Sequence, residues 1–497
     1  MNFSKPAGVS PSALSQIDHA QAHGAAAASA AAAADVSKAH HVPLQALGFG
    51  SAAVSARPVH FVGVPDNHSF VAALDDDTLG ITAGYLSQSD QLLMRQVDPS
   101  VRAVVDPIIH TLKVSAREAC TLLSQPNRFS KLRELRLSDF RFTDPDLTDL
   151  ARVLATMPKT DFELIVGTNS IGYGSTDIVD GVKALAALRL SGLTLNGISI
   201  SNDTSRALAL SGTPISIHLP NVVDGHDDLY EIVQIPMLRS LRAGYVSDLS
   251  ADAINALRSH EALEHFDIDD ISGEHLAILA TSANIRSLAI EFITRGAQAA
   301  ALSALATNRV LTSLEIGVDN GNAFAALSQS MTLQKLRMHV HELAPSSLAS
   351  IATMPALKEF HLSVNDEREA SIGGNDIAAL CAKQLTSLSF CNIKMDGPAR
   401  LHLATAKTTE LRLEGCTPFA SEAFAVLNQN QSIKRLFMSS LALFTSNENI
   451  LSLVTSGMPQ LESLDVTVKG WGAVQGIKTA WVNSGRQAGN LNLRIVA

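Results

Sequence analysis

The sequence predicts an α/β solenoid, a horseshoe of short parallel strands backed by helices, behind a small all-helical module. Three observations lead there. The chain has 497 residues, too many for one compact core, so several domains or a repeat array is required. Its apolar content is aliphatic, with 46% hydrophobic residues but only 5% aromatic. Such a composition suits stacked ladders of Leu, Ile, Val and Ala better than a core assembled around rings. Finally, a short pattern, apolar-x-x-Leu-x-Leu, recurs along most of the chain.

The pattern is clear at Leu132–Leu137, Leu238–Ala243, Leu263–Ile268, Ile285–Ile290, Leu311–Ile316 and Leu333–Met338. It continues at Leu357–Leu362, Leu385–Phe390, Thr408–Leu413, Ile433–Met438 and Leu461–Val466. From Leu241 onward the middle Leu or Phe returns every 22 to 28 residues. That spacing resembles the leucine-rich repeat, whose period is about 20–29 residues. Between Leu137 and Leu238 the units at Phe162–Val166, Leu193–Leu195 and Ile215–Leu219 are irregular, and Asn490–Ile495 closes an array of about 14 or 15 units.

Each Leu-x-Leu is expected as a strand whose leucines point inward by the two-residue alternation. The return segments read as short helices, because residues 251–257, 296–306, 345–351 and 421–427 repeat apolar positions at i, i+3 and i+4. Met-Pro or Pro-Met at 157–158, 236–237, 354–355 and 458–459 then ends a helix before the next strand.

The same alternation aims the residues flanking the middle leucine into the concave face. The candidate partner-binding residues are therefore His265, Asp267, Asp269, Glu291, Glu315, Lys335, Arg337, His339, His361, Arg412, Arg435 and Phe437. An acidic stretch from Asp267 to Glu315 abuts a basic one from Lys335 to His339. Phe437 is expected to be an exposed anchor, since aromatics and Arg dominate interface hot spots.

Before the array, residues 1–65 read as a disordered Ala/Ser-rich tail, with no basic segment leading into a Leu-rich one as in a secretory signal peptide. Residues 66–107 read as two or three short helices, with apolar faces at Leu79, Ile81 and Leu86, then Leu92, Leu93 and Val97. Residues 108–131 read as a linker or cap, with a capping-box start at Ser115 and Glu118. The repeats then occupy 132–497.

The helical stretch resembles an F-box. Leu74, Asp77, Leu79, Leu86, Ser87, Asp90, Val97 and Val101 fall on that pattern, while Asp75 and Thr82 replace its usual Pro and Ile. An F-box followed by such repeats is similar to the GALA family of type III effectors of plant-pathogenic bacteria, and Gly296–Leu302 resembles the helix that names it. The resemblance implies secretion by a type III system into the host cell. It implies a host Skp-type adaptor, contacted by Leu74, Leu79, Ile81, Leu86, Asp90 and Val97, and through it a cullin-RING ubiquitin ligase. The repeats would present a host protein to that ligase. The alternative is a binding module that sequesters a host protein without recruiting a ligase, its helical stretch serving only as a cap.

Other function classes fit less well. The net charge of −10 disfavours nucleic acid and anionic membrane as partners, and no apolar run is long enough to predict a membrane span. Cys120, Cys381, Cys391 and Cys416 form no CxxC pair, so neither a disulfide framework nor structural zinc is expected. His339 and His341 share a strand face without a third ligand, so no metal is predicted. Cys416 falls on a repeat-interior position, so no enzyme activity and no cofactor are expected.

Overall fold

A computed structural model describes residues 104–496, apart from 126–128, 138–142, 158–160, 168–177, 199, 222–225, 246–248, 295–297, 321–322, 344–346, 366–369, 418, 440–446, 456 and 470. The tail 1–65 and the F-box-like residues Leu74, Leu79, Ile81, Leu86, Asp90 and Val97 lie outside the described residues.

The described chain is an α/β solenoid. Its first strands are β1 (Thr111–Val114), β2 (Glu134–Leu137), β3 (Glu163–Val166), β4 (Gly192–Asn196), β5 (Ile215–Asn221) and β6 (Leu238–Tyr245). Next come β7 (His265–Ser272), β8 (Ser287–Thr294), β9 (Ser313–Asn320), β10 (Lys335–Glu342), β11 (Glu359–Val364) and β12 (Ser371–Ile372). The last are β13 (Ser387–Cys391), β14 (Lys394–Met395), β15 (Glu410–Glu414), β16 (Arg435–Ser439), β17 (Ser463–Lys469) and β18 (Leu491–Val496). Sixteen of them form one parallel sheet in chain order, and β12 and β14 pair separately. Within residues 108–131, read as a linker or cap, Thr111–Val114 forms β1, which pairs with β2.

Each connection between neighbouring strands of the long sheet carries a helix, as parallel neighbours require. Helices such as Ala116–Leu123, Ala251–Ser259 and Gln298–Thr307 bury one stripe, for example Ala253, Ile254 and Leu257. The capping box expected at residue 115 is present: the Glu118 amide donates to Ser115 Oγ at 3.2 Å, and the Ser115 amide donates to the Glu118 carboxylate at 2.9 Å. Helices Asp144–Ala155, His226–Val233, Ser347–Ile351 and Asn447–Thr455 all stop before the Met-Pro or Pro-Met pairs.

The core is a set of ladders. Leu112, Leu135, Leu164, Leu193 and Ile215 stack in register across β1–β5, and Leu241, Phe266, Leu288, Leu314, Leu336 and Phe360 do so across β6–β11. The two ladders are not one column. At β5–β6 the register shifts between Ile215 and Ser216, so Ile217 rather than Ile215 faces Leu241. The extra residue in β6 thus moves the middle leucine of the motif from the Ile215 column to the Ile217 column.

An asparagine clasp recurs at the turns before β9 and β16. Asn430 donates to the Ala404 and Ala406 carbonyls at 2.9 and 3.0 Å and accepts from the Ser432 and Ile433 amides at 2.8 and 3.0 Å. Asn308 makes the equivalent four bonds before β9, donating to the Ala280 and Ser282 carbonyls and accepting from the Val310 and Leu311 amides. These side chains satisfy turn backbone that the ladder leaves unpaired. At the far end Arg486 donates to the Val454, Met458 and Leu461 carbonyls and lies over the buried Trp481 ring at 4.9 Å.

Candidate functional site

The strand positions between the core leucines form the open face. His265, Asp267 and Asp269 stand on β7, Glu291 on β8, Glu315 on β9, and Lys335, Arg337 and His339 on β10. His361 stands on β11, Arg412 on β15, and Arg435 and Phe437 on β16. Direct lateral neighbours include Asp267 with Arg242, Arg337 with Glu315 and with His361, and Arg412 with Phe437.

Most of these charges are matched across strands. Arg242 reaches Asp267 at 3.1 Å, Arg337 reaches Glu315 at 3.1 Å, and Lys335 reaches Glu359 at 3.0 Å. Arg435 reaches Glu410 at 2.9 Å, and within β15 Arg412 reaches Glu414 at 3.2 Å. The acidic and basic stretches seen in the sequence thus meet as pairs at β9–β10. Glu315 is held below the usual carboxylate range, chiefly by its hydrogen bond from His339 and then by Arg337. Asp267 goes the other way: burial pushes its carboxyl up, Asp269, Glu315 and Glu291 add to this, and Arg242 opposes it.

Between the two charged walls lies a trough. Its floor is β13, where Ser387, half-buried, and Ser389, buried against His361, are too small to fill the face. One wall carries Lys335, Arg337, Glu359 and His361, the other Glu410, Arg412 and Glu414, around a hollow of about 490 Å³. His361 Nδ1 and Ser389 Oγ share a hydrogen bond of 2.7 Å, and the His339 and His361 rings meet edge to face at 6.1 Å. Burial, with Arg337 and His339 nearby, pushes His361 down to about 4, so it is neutral at physiological pH. Its rim therefore presents fixed donors and acceptors around a floor that can admit a side chain.

Two aromatic residues differ from the sequence reading. Phe437 is half-buried rather than a bare anchor, because the Arg412 and Arg494 guanidiniums lie over its ring at 4.0 and 4.9 Å. An exposed aromatic stands instead at Phe292 on β8, 44% accessible. Sequence reasoning passed over it, and over Ser387 and Ser389; serines on both sides of Leu388 in the motif were the available signal.

Cys381 and Cys416 are buried, and burial pushes both thiols up to about 12. Among the described residues no group of three or more His, Cys, Asp or Glu could hold a metal ion. No described helix is long and apolar enough to cross a membrane.

No protein-family model and no curated protein sequence matches the chain. Solved structures do. A chain of the crystal structure of the Rad7 and Elc1 complex in yeast aligns at 15% identity and a TM-score of 0.41, covering 84% of this chain and 92% of that one. A chain of the TLR13–ssRNA13 complex aligns at 14% identity and a TM-score of 0.37, covering 80% of this chain and 54% of that one.

Proposed function

We propose that this chain is a non-catalytic recognition scaffold that seats a host protein in the β13 trough and joins a Skp-type adaptor through residues 74–97. In this reading it is a type III effector that enters a plant cell and presents the captured protein to a cullin-RING ubiquitin ligase. The observation that carries the binding half is the trough itself, a small-residue floor walled by charged side chains that ion pairs hold in place. Pre-oriented polar groups around a hollow fix a partner's register with little ordering cost. The adaptor half rests on Leu74, Leu79, Leu86, Asp90 and Val97 and their resemblance to an F-box.

The test of the adaptor half is a pull-down of purified full-length chain with a plant Skp-type adaptor, beside Leu79→Ala/Leu86→Ala. Capture by the wild type, lost in the double variant at unchanged circular dichroism, supports the ligase role. Absence of capture at micromolar concentration reduces the chain to a sequestering module.

A further inference from the structure

Strands β7 and β8 break their alternation at the same level. In β7, Phe266, Ile268 and Ile271 are buried, so Asp269 and Asp270 both turn away from the core. In β8, Leu288 and Ile290 are buried and the next two residues, Glu291 and Phe292, are both exposed. Asp270 and Phe292 are register partners on the two neighbouring strands.

The backbone explains the break. An ideal Cβ on Gly317 would lie 1.8 Å from the Glu291 carbonyl oxygen. Strand β8 therefore leans over β9 just beyond the Ile290–Ile316 pair, into space that only glycine leaves. Phe292 then crosses to β10 and stacks on His341, ring centroids 6.2 Å apart and planes within 15°. The result is a raised shoulder with a propped, solvent-facing ring and three carboxylates, Asp269, Asp270 and Glu291. None of the three has an ion pair or hydrogen bond among the described residues, unlike the matched charges at the trough.

We infer that this shoulder docks an extended, arginine-bearing segment of a partner protein, one guanidinium lying on Phe292 and its neighbours meeting Asp269, Asp270 and Glu291. The inference rests on the reading of the open face as a protein-binding surface and adds the chemistry of the occupant. Charge complementarity selects it. An aromatic face attracts a cation, and a planar guanidinium can stack while it bonds carboxylates in bidentate fashion. Polyanions are repelled here.

The probe is a fluorescein-labelled octa-arginine peptide, titrated by anisotropy into the full chain and its variants. The wild type should bind, and an octa-glutamate peptide should not. Phe292→Ala should weaken binding about tenfold, whereas Phe292→Trp should bind at least as tightly as wild type. Asp269→Asn/Asp270→Asn/Glu291→Gln should weaken it further and flatten its salt dependence. Absence of wild-type binding overturns the proposal. So does unchanged affinity in Phe292→Ala, which would mean that the peptide responds only to the overall charge of −10. Ser387→Trp, which fills the trough, should leave peptide binding unchanged. Failure at the shoulder and failure of the trough or the adaptor half are thereby read separately.

Discussion

The Arg412 guanidinium lies 4.0 Å over the Phe437 ring, across the pair that joins β15 to β16. Arg494, from β18, approaches the same ring at 4.9 Å and also holds Asp465 at 3.3 Å. Phe437 thus ties three strands together on the open side of the sheet. Phe437→Ala should destabilise the fold by about 1–3 kcal/mol in urea unfolding, from two lost cation–π contacts and lost packing. Phe437→Trp should keep most of that stability.

The asparagine clasp gives a second expectation. Asn430 is buried and makes four backbone bonds between neighbouring repeats. Asn430→Ala strands two carbonyls and two amides, and should cost about 2–4 kcal/mol. Hydrogen exchange should locate the loosening in the repeats from Ala404 to Ile433 rather than across the whole array, because each repeat leans only on its neighbours.

Two glycines should respond in opposite directions. Gly317→Ala forces the Glu291 carbonyl away and should cost about 1–3 kcal/mol. Gly476 sits inside the helix Trp471–Asn483 with nothing within 4 Å of an added methyl. Gly476→Ala should therefore stabilise by about 0.5–1 kcal/mol. Thermal melts of the two variants check both signs.

His361 makes the fold sensitive to acid. Its folded pKa of about 4 lies below its ordinary value of 6.5, so between these the unfolded chain binds the extra proton. The stability it confers is complete above about pH 6.5 and is lost as pH falls toward 4. Glu315, held low in the fold by His339 and Arg337, adds a loss in the same direction as pH falls through the carboxylate range. His361→Gln, which keeps a hydrogen-bonding group for Ser389, should flatten the decline over pH 6.5–4, read by denaturant titration at each pH.

Much of this architecture is legible in the sequence because period-two leucines and helix-ending Met-Pro pairs are local signals. The strands of the long sheet from β6 onward and the Ser115 capping box fall where those signals put them, whereas the short pair β12 and β14 carries no such signal. The slip at β5–β6 is not local: one bulge moves the middle leucine of the motif to the next core column, and the residues around Ile215 do not mark it. Phe292 fails for a related reason. It lies two residues after the buried Ile290, so alternation assigns it to the core, and only the missing side chain of Gly317 on the next strand turns it outward. Phe437 was legible as outward-facing, but one of its covering arginines, Arg494, comes from β18, which is not its neighbour in the sheet.

The most direct measurement is a separation of functions in plant extract, with tagged full-length chain and quantitative mass spectrometry. Wild type should retain a Skp-type adaptor and a specific plant protein together. Leu79→Ala/Leu86→Ala should lose the adaptor and keep the plant protein, while Ser387→Trp should keep the adaptor and lose the plant protein. Retention of the same plant protein by the filled-trough variant would contradict the assignment of the β13 trough as the recognition site.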